Sequence, residues 1–325
     1  MPGHSSSPLT PRPTDLAASG ATASAASTFW RTRLPAQRAR VAYALLAPAV
    51  ALLAVVVAYP LVSGILLSFE RADFVGTRLV TQGLTLQNYA RALSSPDFVP
   101  TLGRSLTYVL VVTGAAFAIG LLTALLVNER FKGRSVARTI IVLPWAIPLV
   151  VATNIWWWLL DPSYGLLNYV LQKVGVSSAP VQWLTSSVPA FVAVCLVTAW
   201  KGYPFFTIML LAGLQAIPRD LYEAANVDGA GRYRRFWHIT APALRSVAAI
   251  AVLLNALWVF REFTVIWVLT GGGPVRATET LAITTYRAAF QDFQFAYAAA
   301  LGVLTLMVSL IGSVIAVRTS GPAFY

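Results

Sequence analysis

Long apolar runs separated by short polar segments occupy most of this chain. The runs cover about residues 41–69, 105–128, 139–160, 188–215, 245–269 and 295–317. Lys201 interrupts the fourth run and Arg261-Glu262 the fifth, whereas the other four contain no charged residue. A helix needs about 20 apolar residues to cross a bilayer core. Because none of the runs alternates apolar with polar positions, the pattern predicts an all-α membrane protein with six transmembrane helices.

The two ends of the chain differ from this pattern. The N-terminal segment is rich in Ser, Thr, Ala and Pro without an apolar period, which predicts a disordered tail over residues 1–40. The transmembrane domain is expected over residues 41–318, with a polar loop at about 216–243, and a short tail over 319–325 follows it. The first apolar run is too long for a signal peptide core, which has about 7–15 residues.

The distribution of basic residues predicts the orientation. Six spans place both termini on one side of the membrane, and 15 of the 24 Lys and Arg residues fall on that side, against 7 on the other. Since cytoplasmic loops have an excess of Lys and Arg, both termini are expected in the cytoplasm. The net charge of +12 is then explained mostly by the orientation of the chain in the membrane, and it does not indicate nucleic-acid binding.

The composition and the absence of known motifs argue against an enzyme or a metal-binding protein. The chain is 57% apolar and 11% charged, with a mean hydropathy of +0.68, whereas soluble domains have about 25% charged residues. Its one cysteine, Cys195, lies in an apolar run, and its two histidines, His4 and His238, are far apart. No HExxH, GxSxG or GxxxxGK[ST] motif is present. The sequence therefore predicts no catalytic site, no metal site and no nucleotide-hydrolysing site in this chain.

The polar loop between the fourth and fifth runs has the pattern of a helix–turn–helix. Pro218 suits the first turn of a short helix, and acidic residues follow it at favourable positions for the helix dipole. Asp228-Gly229 predicts a turn. A second helix is expected over about 232–239, ending before Pro242. From composition alone this loop could be a solvated connector, whose arginines only follow the excess of basic residues in cytoplasmic loops.

The residues of this loop also resemble a known motif. Glu223-Ala-Ala, Asp228-Gly-Ala, Phe236, Ile239 and Pro242 are similar to the EAA loop of importer-type ABC permeases, with Ala241 in place of the leucine common there. The resemblance implies the fold of those permeases and a coupling helix that docks into a groove on an ATPase subunit. The residues it assigns to this coupling are Glu223, Ala224, Ala225, Asp228, Gly229, Arg232 and Arg235.

Further segments resemble the carbohydrate branch of this family. They are Trp200–Phe206, Leu211–Pro218 and Val268–Pro274. The resemblance implies an ATP-driven importer of a di- or oligosaccharide, with glycerol-phosphate-type or other polar solutes as the alternative. It also implies a second related permease subunit, an extracytoplasmic solute-binding protein and two cytoplasmic subunits that bind ATP and Mg, so that this chain needs no cofactor of its own.

Polar residues within the runs are candidates for the substrate path. A charge inside a span should face protein or water, and Gly202 and Pro204 predict a break in the fourth helix beside Lys201. Arg261 and Glu262 fit either a structural pair or a place on the path, and Lys201 fits a structural role better. An aromatic cluster at 156–158 is more typical of an interfacial belt. The candidates are Asn154, Lys201, Asn255, Trp258, Arg261 and Glu262.

Two other classes of protein fit less well. An intramembrane enzyme would need acids, histidines or metal ligands in the spans, and a proton- or sodium-coupled carrier would need a dedicated acid there. Glu262 is the one acidic residue in the apolar runs. Association with an ATPase would distinguish an importer from both classes.

Overall fold

The computed structural model describes residues 36–75 and 78–320 and is mainly helical. Its first half contains α1 (Ala36–Leu53), a π-helical turn (Ala54–Ala58), α2 (Tyr59–Ser68), β1 (Glu70–Val75), β2 (Arg78–Leu84), α3 (Gln87–Ser94), α4 (Phe98–Asn128), α5 (Arg134–Ala146), α6 (Leu149–Leu159) and α7 (Leu166–Lys173). Its second half contains α8 (Ser187–Ala216), α9 (Arg219–Val227), α10 (Arg232–Arg235), a π-helical turn (Phe236–Thr240), α11 (Ala241–Phe260), α12 (Thr264–Thr270), α13 (Leu281–Phe290) and α14 (Phe295–Ser320).

The chain divides into two units, Met1–Ser63 and Gly64–Tyr325. In the first unit, α1, the π-helical turn and the start of α2 form one helical stretch, and its apolar side chains from Tyr43 to Val62 are exposed. Of the expected disordered tail over residues 1–40, residues 1–35 lie outside the described part, but residues 36–40 are helical, so the prediction is wrong for them. Most of the expected tail at 319–325 also lies outside the described residues.

Five of the six predicted spans are confirmed as continuous helices within residues 36–75 and 78–320. They cover Tyr43–Ser68, Phe98–Asn128, Ser187–Ala216, Arg232–Phe260 and Phe295–Arg318. Each is long and apolar enough to cross a membrane.

The predicted third span is instead a broken one. α5 and α6 meet at a bend of 97°. Ile147 and Pro148 between them are not helical, with ψ angles of 134° and 135°. For Ile147 the cause is local, because a residue that precedes proline is disfavoured in the α conformation.

The expected break in the fourth span is absent. α8 continues through Gly202 and Pro204, and Pro204 is buried. Neighbouring helices can satisfy the backbone that a proline disturbs, and α8 packs between α4 and α11. The prediction of a helix break beside Lys201 is therefore wrong.

The helix expected over 232–239 also does not stop before Pro242. It continues to Phe260, and the π-helical turn lies directly before Pro242 in this continuous helix. The fifth span accordingly begins and ends earlier than the apolar run at 245–269 predicts, and residues 264–270 form the separate helix α12. The widened turn accommodates a proline, which lacks the N–H that a helix interior needs.

The core of the second unit lies where α4 packs along α8. Gly120 permits the close approach, because a Cβ there would collide with Phe206. Two hydrogen bonds join the helices, from Tyr108 Oη to Thr198 Oγ1 at 2.6 Å and between the hydroxyls of Thr123 and Thr207 at 2.7 Å. Small residues and interhelical hydrogen bonds are the means by which helices associate in lipid.

The strands β1 and β2 pair antiparallel, with Glu70 opposite Leu84 and Val75 opposite Arg78. The sequence analysis did not predict this pair. It joins the first span to α3 and leaves the helical fold class unchanged.

Candidate functional site

The polar loop folds into an elbow, which we define as α9 and its turn at Gly229. α9 begins directly after Pro218. At its end, the Gly229 N–H donates to the Asn226 carbonyl at 3.1 Å, and the Ala230 N–H donates to the Ala225 carbonyl at 2.8 Å. This is the Schellman arrangement, which needs a left-handed residue, and Gly229 has a φ of +70°. The predicted turn is confirmed.

Two side-chain hydrogen bonds attach the elbow to the helix that follows. The Tyr222 hydroxyl lies 2.9 Å from the Thr240 hydroxyl, and Arg235 Nη1 donates to Asn226 Oδ1 at 2.5 Å. Since both bonds connect α9 with the start of the fifth span, the elbow and that helix are held together.

Five of the seven predicted coupling residues lie in the elbow, and Arg232 and Arg235 lie in α10, which follows it. Those exposed are Glu223, Ala224, Asp228, Gly229 and Arg232, while Ala225 and Arg235 are half-buried. Within the described part of the chain, Glu223 and Arg232 form no ion pair. Val227 is 89% exposed beside them. The elbow thus presents a mixed charged and apolar surface that the rest of the described chain does not use.

Lys201 binds backbone carbonyls at the break in the third span. Its ammonium group donates to the carbonyls of Pro144 at 2.7 Å and Trp145 at 3.3 Å, and also to that of Ile147. The last carbonyls of a helix lack partners in the helix itself and attract a cation. The structure therefore gives Lys201 the structural role that the sequence favoured, on the side of α8 that faces α5.

Asn255 and Trp258 lie on the side of α11 that faces α8. The Asn255 side chain is 3% exposed and packs against Gly202, and its Oδ1 is buried without a hydrogen-bond partner in the described chain. Trp258 is 47% exposed and its ring stacks edge-on against Phe205, with the centroids 4.9 Å apart. Only Trp258 of the two presents much surface in this conformation.

Arg261 and Glu262 do not form the structural pair that we considered. Among the described residues, no ion pair joins them. Arg261 is exposed and its Nε donates to the Leu257 carbonyl at 3.3 Å, whereas Glu262 Oε1 accepts the Val265 N–H at 2.9 Å. Glu262 therefore caps the start of α12, and the chain leaves helical geometry between the two helices.

Asn154 is exposed on α6, where its amide donates to the Val150 carbonyl of the same helix at 2.9 Å. Of the neighbouring tryptophans, Trp157 and Trp158 are exposed, and Trp156 packs against Trp200 with the centroids 5.5 Å apart. Exposure of two of the three tryptophans agrees with the interfacial belt.

An ionic cluster around the buried Glu279, which the sequence analysis missed, joins the segments at residues 97–104 and 276–287. Glu279 is 1% exposed, and its carboxylate pairs with Arg276 at 2.7 Å and Arg287 at 3.1 Å. Arg276 also pairs with Asp97, and Arg104 Nε donates to the Glu279 carbonyl at 3.1 Å. Hydrogen bonds to Glu279 raise the pKa of Arg276. The cluster ties the loop before α13 to the start of α4.

These features define a class of protein: a multi-pass membrane protein with an exposed helical elbow. A family model described as "Binding-protein-dependent transport system inner membrane component" matches residues 116–320. The chain belongs to this family, and it is a membrane-spanning permease subunit of an ABC importer.

Similar proteins support this assignment over most of the chain. The trehalose/maltose transport system permease protein MalF of Thermococcus litoralis is 35% identical, covering 86% of this chain and 93% of that protein. The sulfoquinovosyl glycerol transport system permease protein SmoG of Agrobacterium fabrum is 34% identical, covering 84% and 88%. A chain in the crystal structure of a bacterial ABC transporter involved in the import of the acidic polysaccharide alginate is 25% identical, with a TM-score of 0.75, covering 87% and 96%.

Proposed function

We propose that this permease subunit imports a di- or oligosaccharide. It works with a second related permease, two cytoplasmic ATP-binding subunits and an extracytoplasmic solute-binding protein. The names of the similar proteins, which refer to trehalose, maltose, a sulfoquinovosyl glycoside and alginate, support a saccharide as the substrate. ATP and Mg are bound by the partner subunits, and this chain contributes the path and the coupling.

The observation that carries the coupling role is the attachment of the elbow to the fifth span. The outer surface of the elbow is free for a partner, while Tyr222 and Arg235 hold its inner side to the helix. A partner that moves the elbow would move the helix with it. Closure of the ATPase dimer on ATP would then shift the balance between an inward-facing and an outward-facing state.

The residues that support a saccharide path are Trp258 and Asn255. Sugars need apolar faces for stacking and hydrogen-bonding groups around them. Trp258 has an exposed ring surface, and the unpaired Oδ1 of Asn255 can accept a hydrogen bond from a hydroxyl if the helices move apart. Both side chains lie on the helix that the elbow would move.

Transport by the reconstituted complex tests the proposal. The full chain is purified with its associated subunits, placed in proteoliposomes and supplied with the solute-binding protein, and uptake of labelled maltose and trehalose is measured. ATP-dependent uptake of either sugar, or of another saccharide found in a binding screen of the solute-binding protein, is the expected result. ATP-dependent uptake of only non-saccharide solutes would overturn the substrate class, and uptake without an ATPase subunit would overturn the importer mechanism.

The proposed orientation has a separate test. With both termini in the cytoplasm, a reporter fused after Tyr325 should give a cytoplasmic signal. Reporters inserted at residues 165–180 should give an extracytoplasmic one. An extracytoplasmic C-terminus would contradict both the orientation and the placement of the elbow beside an ATPase.

A further inference from the structure

A cavity, separate from the residues proposed for the path and the elbow, lies between α4, α5 and α8. It has a volume of about 290 Å³ and lies near the membrane side on which the elbow is found. Its walls are mainly apolar and include Val127 from α4, Ile141 and Val142 from α5, and Ile208 and Leu211 from α8.

One charged side chain lines this cavity. The Nε and Nη2 atoms of Arg138 are buried and have no hydrogen-bond partner within the described residues. No carboxylate of the described chain pairs with Arg138, since the ion pairs there involve Arg276 and Arg287. A guanidinium group stays charged at any physiological pH. Arg138 as a whole is half-buried, but its two buried N–H groups are costly to leave without an acceptor. The unpaired guanidinium group therefore favours a bound anion at this site.

The rest of the lining indicates what kind of anion this is. The Thr207 hydroxyl is already used, by Thr123 and by the Tyr203 carbonyl, so the apolar walls are left for an apolar group. Inorganic phosphate alone would leave those walls in contact with water, whereas an acyl chain would cover them. The exposed amide of Gln215 at the edge of the cavity adds donors for a polar headgroup.

We propose that this cavity binds an anionic phospholipid. The phosphate lies against Arg138, and an acyl chain extends along the walls formed by α5 and α8. The basic residues predict that this side of the membrane is cytoplasmic, and basic pockets between helices on that side suit anionic headgroups. The lipid would hold α5 against α8, the same pair that Lys201 joins at the other end of α5. The proposal depends neither on the substrate nor on ATPase coupling.

Retention of lipid by the assembled transporter tests this site. The complex is reconstituted in nanodiscs of phosphatidylcholine with a minor fraction of phosphatidylglycerol, released into detergent and examined by native mass spectrometry. The wild-type complex should retain phosphatidylglycerol in preference to phosphatidylcholine. Arg138→Met should lower this retention by roughly five- to ten-fold, the effect of losing one basic contact near the surface.

Two further variants make the test specific. Arg130→Met removes the same charge from the loop just before α5, but the Arg130 side chain is exposed and does not line the cavity, so phosphatidylglycerol should be retained. Ala212→Phe fills the cavity and leaves Arg138 in place, so retention should fall even if Arg138→Met proves too unstable to purify.

Three outcomes would overturn the proposal. Displacement of phosphatidylglycerol by millimolar inorganic phosphate would identify a simple anion site. Loss of retention in Arg130→Met as large as in Arg138→Met would show a diffuse effect of charge. Unchanged retention in both Arg138→Met and Ala212→Phe would mean that another group, such as a carboxylate of a partner subunit, fills the cavity in the complex.

Discussion

Gly229 allows the shape of the elbow to be separated from the surface that the elbow presents. Its φ of +70° lies in the left-handed region, and a Cβ there would meet no atom of the chain within 4 Å. A substitution therefore has two direct effects, which are backbone strain and added bulk on the outer surface. Asparagine adds bulk with little strain, because it tolerates the left-handed conformation, whereas alanine and valine add strain.

The strain is large enough to change the elbow. A left-handed conformation costs an ordinary residue about 1–2 kcal/mol, and we expect about 1 kcal/mol for Gly229→Ala and about 2 kcal/mol for Gly229→Val. α9 has 9 residues, too few for a helix that is stable alone, so it depends on the two hydrogen bonds closed by Gly229 and Ala230. A strain of 2 kcal/mol would lower the population of the closed elbow about thirty-fold.

The assay is stimulation of ATP hydrolysis by the solute-binding protein in proteoliposomes, together with retention of the ATPase on purification. Gly229→Val should lower both sharply while the chain still inserts, and Gly229→Ala should have an intermediate effect. A loss of ATPase stimulation or retention in Gly229→Asn would mean that added bulk on the outer surface of the elbow disturbs docking. Gly133→Val is the matched control, since Gly133 also has a positive φ, of +92°, and open space around it but lies outside the elbow.

The reasoning is wrong if Gly229→Val retains the ATPase, its stimulation and uptake at the wild-type level. The elbow would then be a solvated connector. An equal loss in Gly133→Val would also contradict it, because the effect would then be general strain and not coupling.

Four further variants test other parts of the structure. Lys201→Met should destabilise the chain by about 2–3 kcal/mol, because hydrogen bonds from a charged group contribute about that much. Its melting temperature in detergent should therefore fall. An unchanged melting temperature would mean that the helix break needs no cation. Glu279→Gln should lower the free energy of unfolding by about 2 kcal/mol, below the roughly 3–5 kcal/mol for a fully buried ion pair, because the side chains of Arg276 and Arg287 are 40% and 33% exposed. Thermal unfolding is the measurement, and stability equal to wild type is the contrary result. Trp258→Ala and Asn255→Ala should each lower saccharide uptake about ten-fold while the complex still assembles; normal uptake by both would place the substrate against the partner subunit.

The elements that the sequence predicted correctly are those with a local cause. Five spans follow from long and mainly apolar runs, and the turn at Gly229 follows from the Asp-Gly pair and the residues around it. Both depend on neighbours in the chain and hardly at all on what packs against them.

The helix breaks were harder to predict, since proline has no fixed consequence in a membrane helix. Pro148 ends one helix and Pro204 does not interrupt another, although both lie in apolar runs. The difference is tertiary: Pro204 is buried, whereas the carbonyls freed before Pro148 are bound by Lys201, a residue more than fifty positions away. The sequence contains no local sign of that contact.

The ionic cluster was missed for the same reason. Its members come from residues 97–104 and 276–287, and their pairing depends on where α4 lies relative to the loop before α13. Glu279 sits between two threonines, in a segment that reads as an ordinary polar loop, and its burial follows only from the packed structure.

The position of the π-helical turn shows how the elbow can act on the path. The helix from Arg232 to Phe260 has 29 residues, or about 43 Å at 1.5 Å per residue. A π-helical turn is a place where a helix bends, so a force applied at Arg232 could be absorbed there. The Tyr222 hydroxyl, however, bonds to Thr240, the last residue of the turn. In the proposed coupling, movement of the elbow would therefore be passed beyond the turn to α11, the helix on which Asn255 and Trp258 lie.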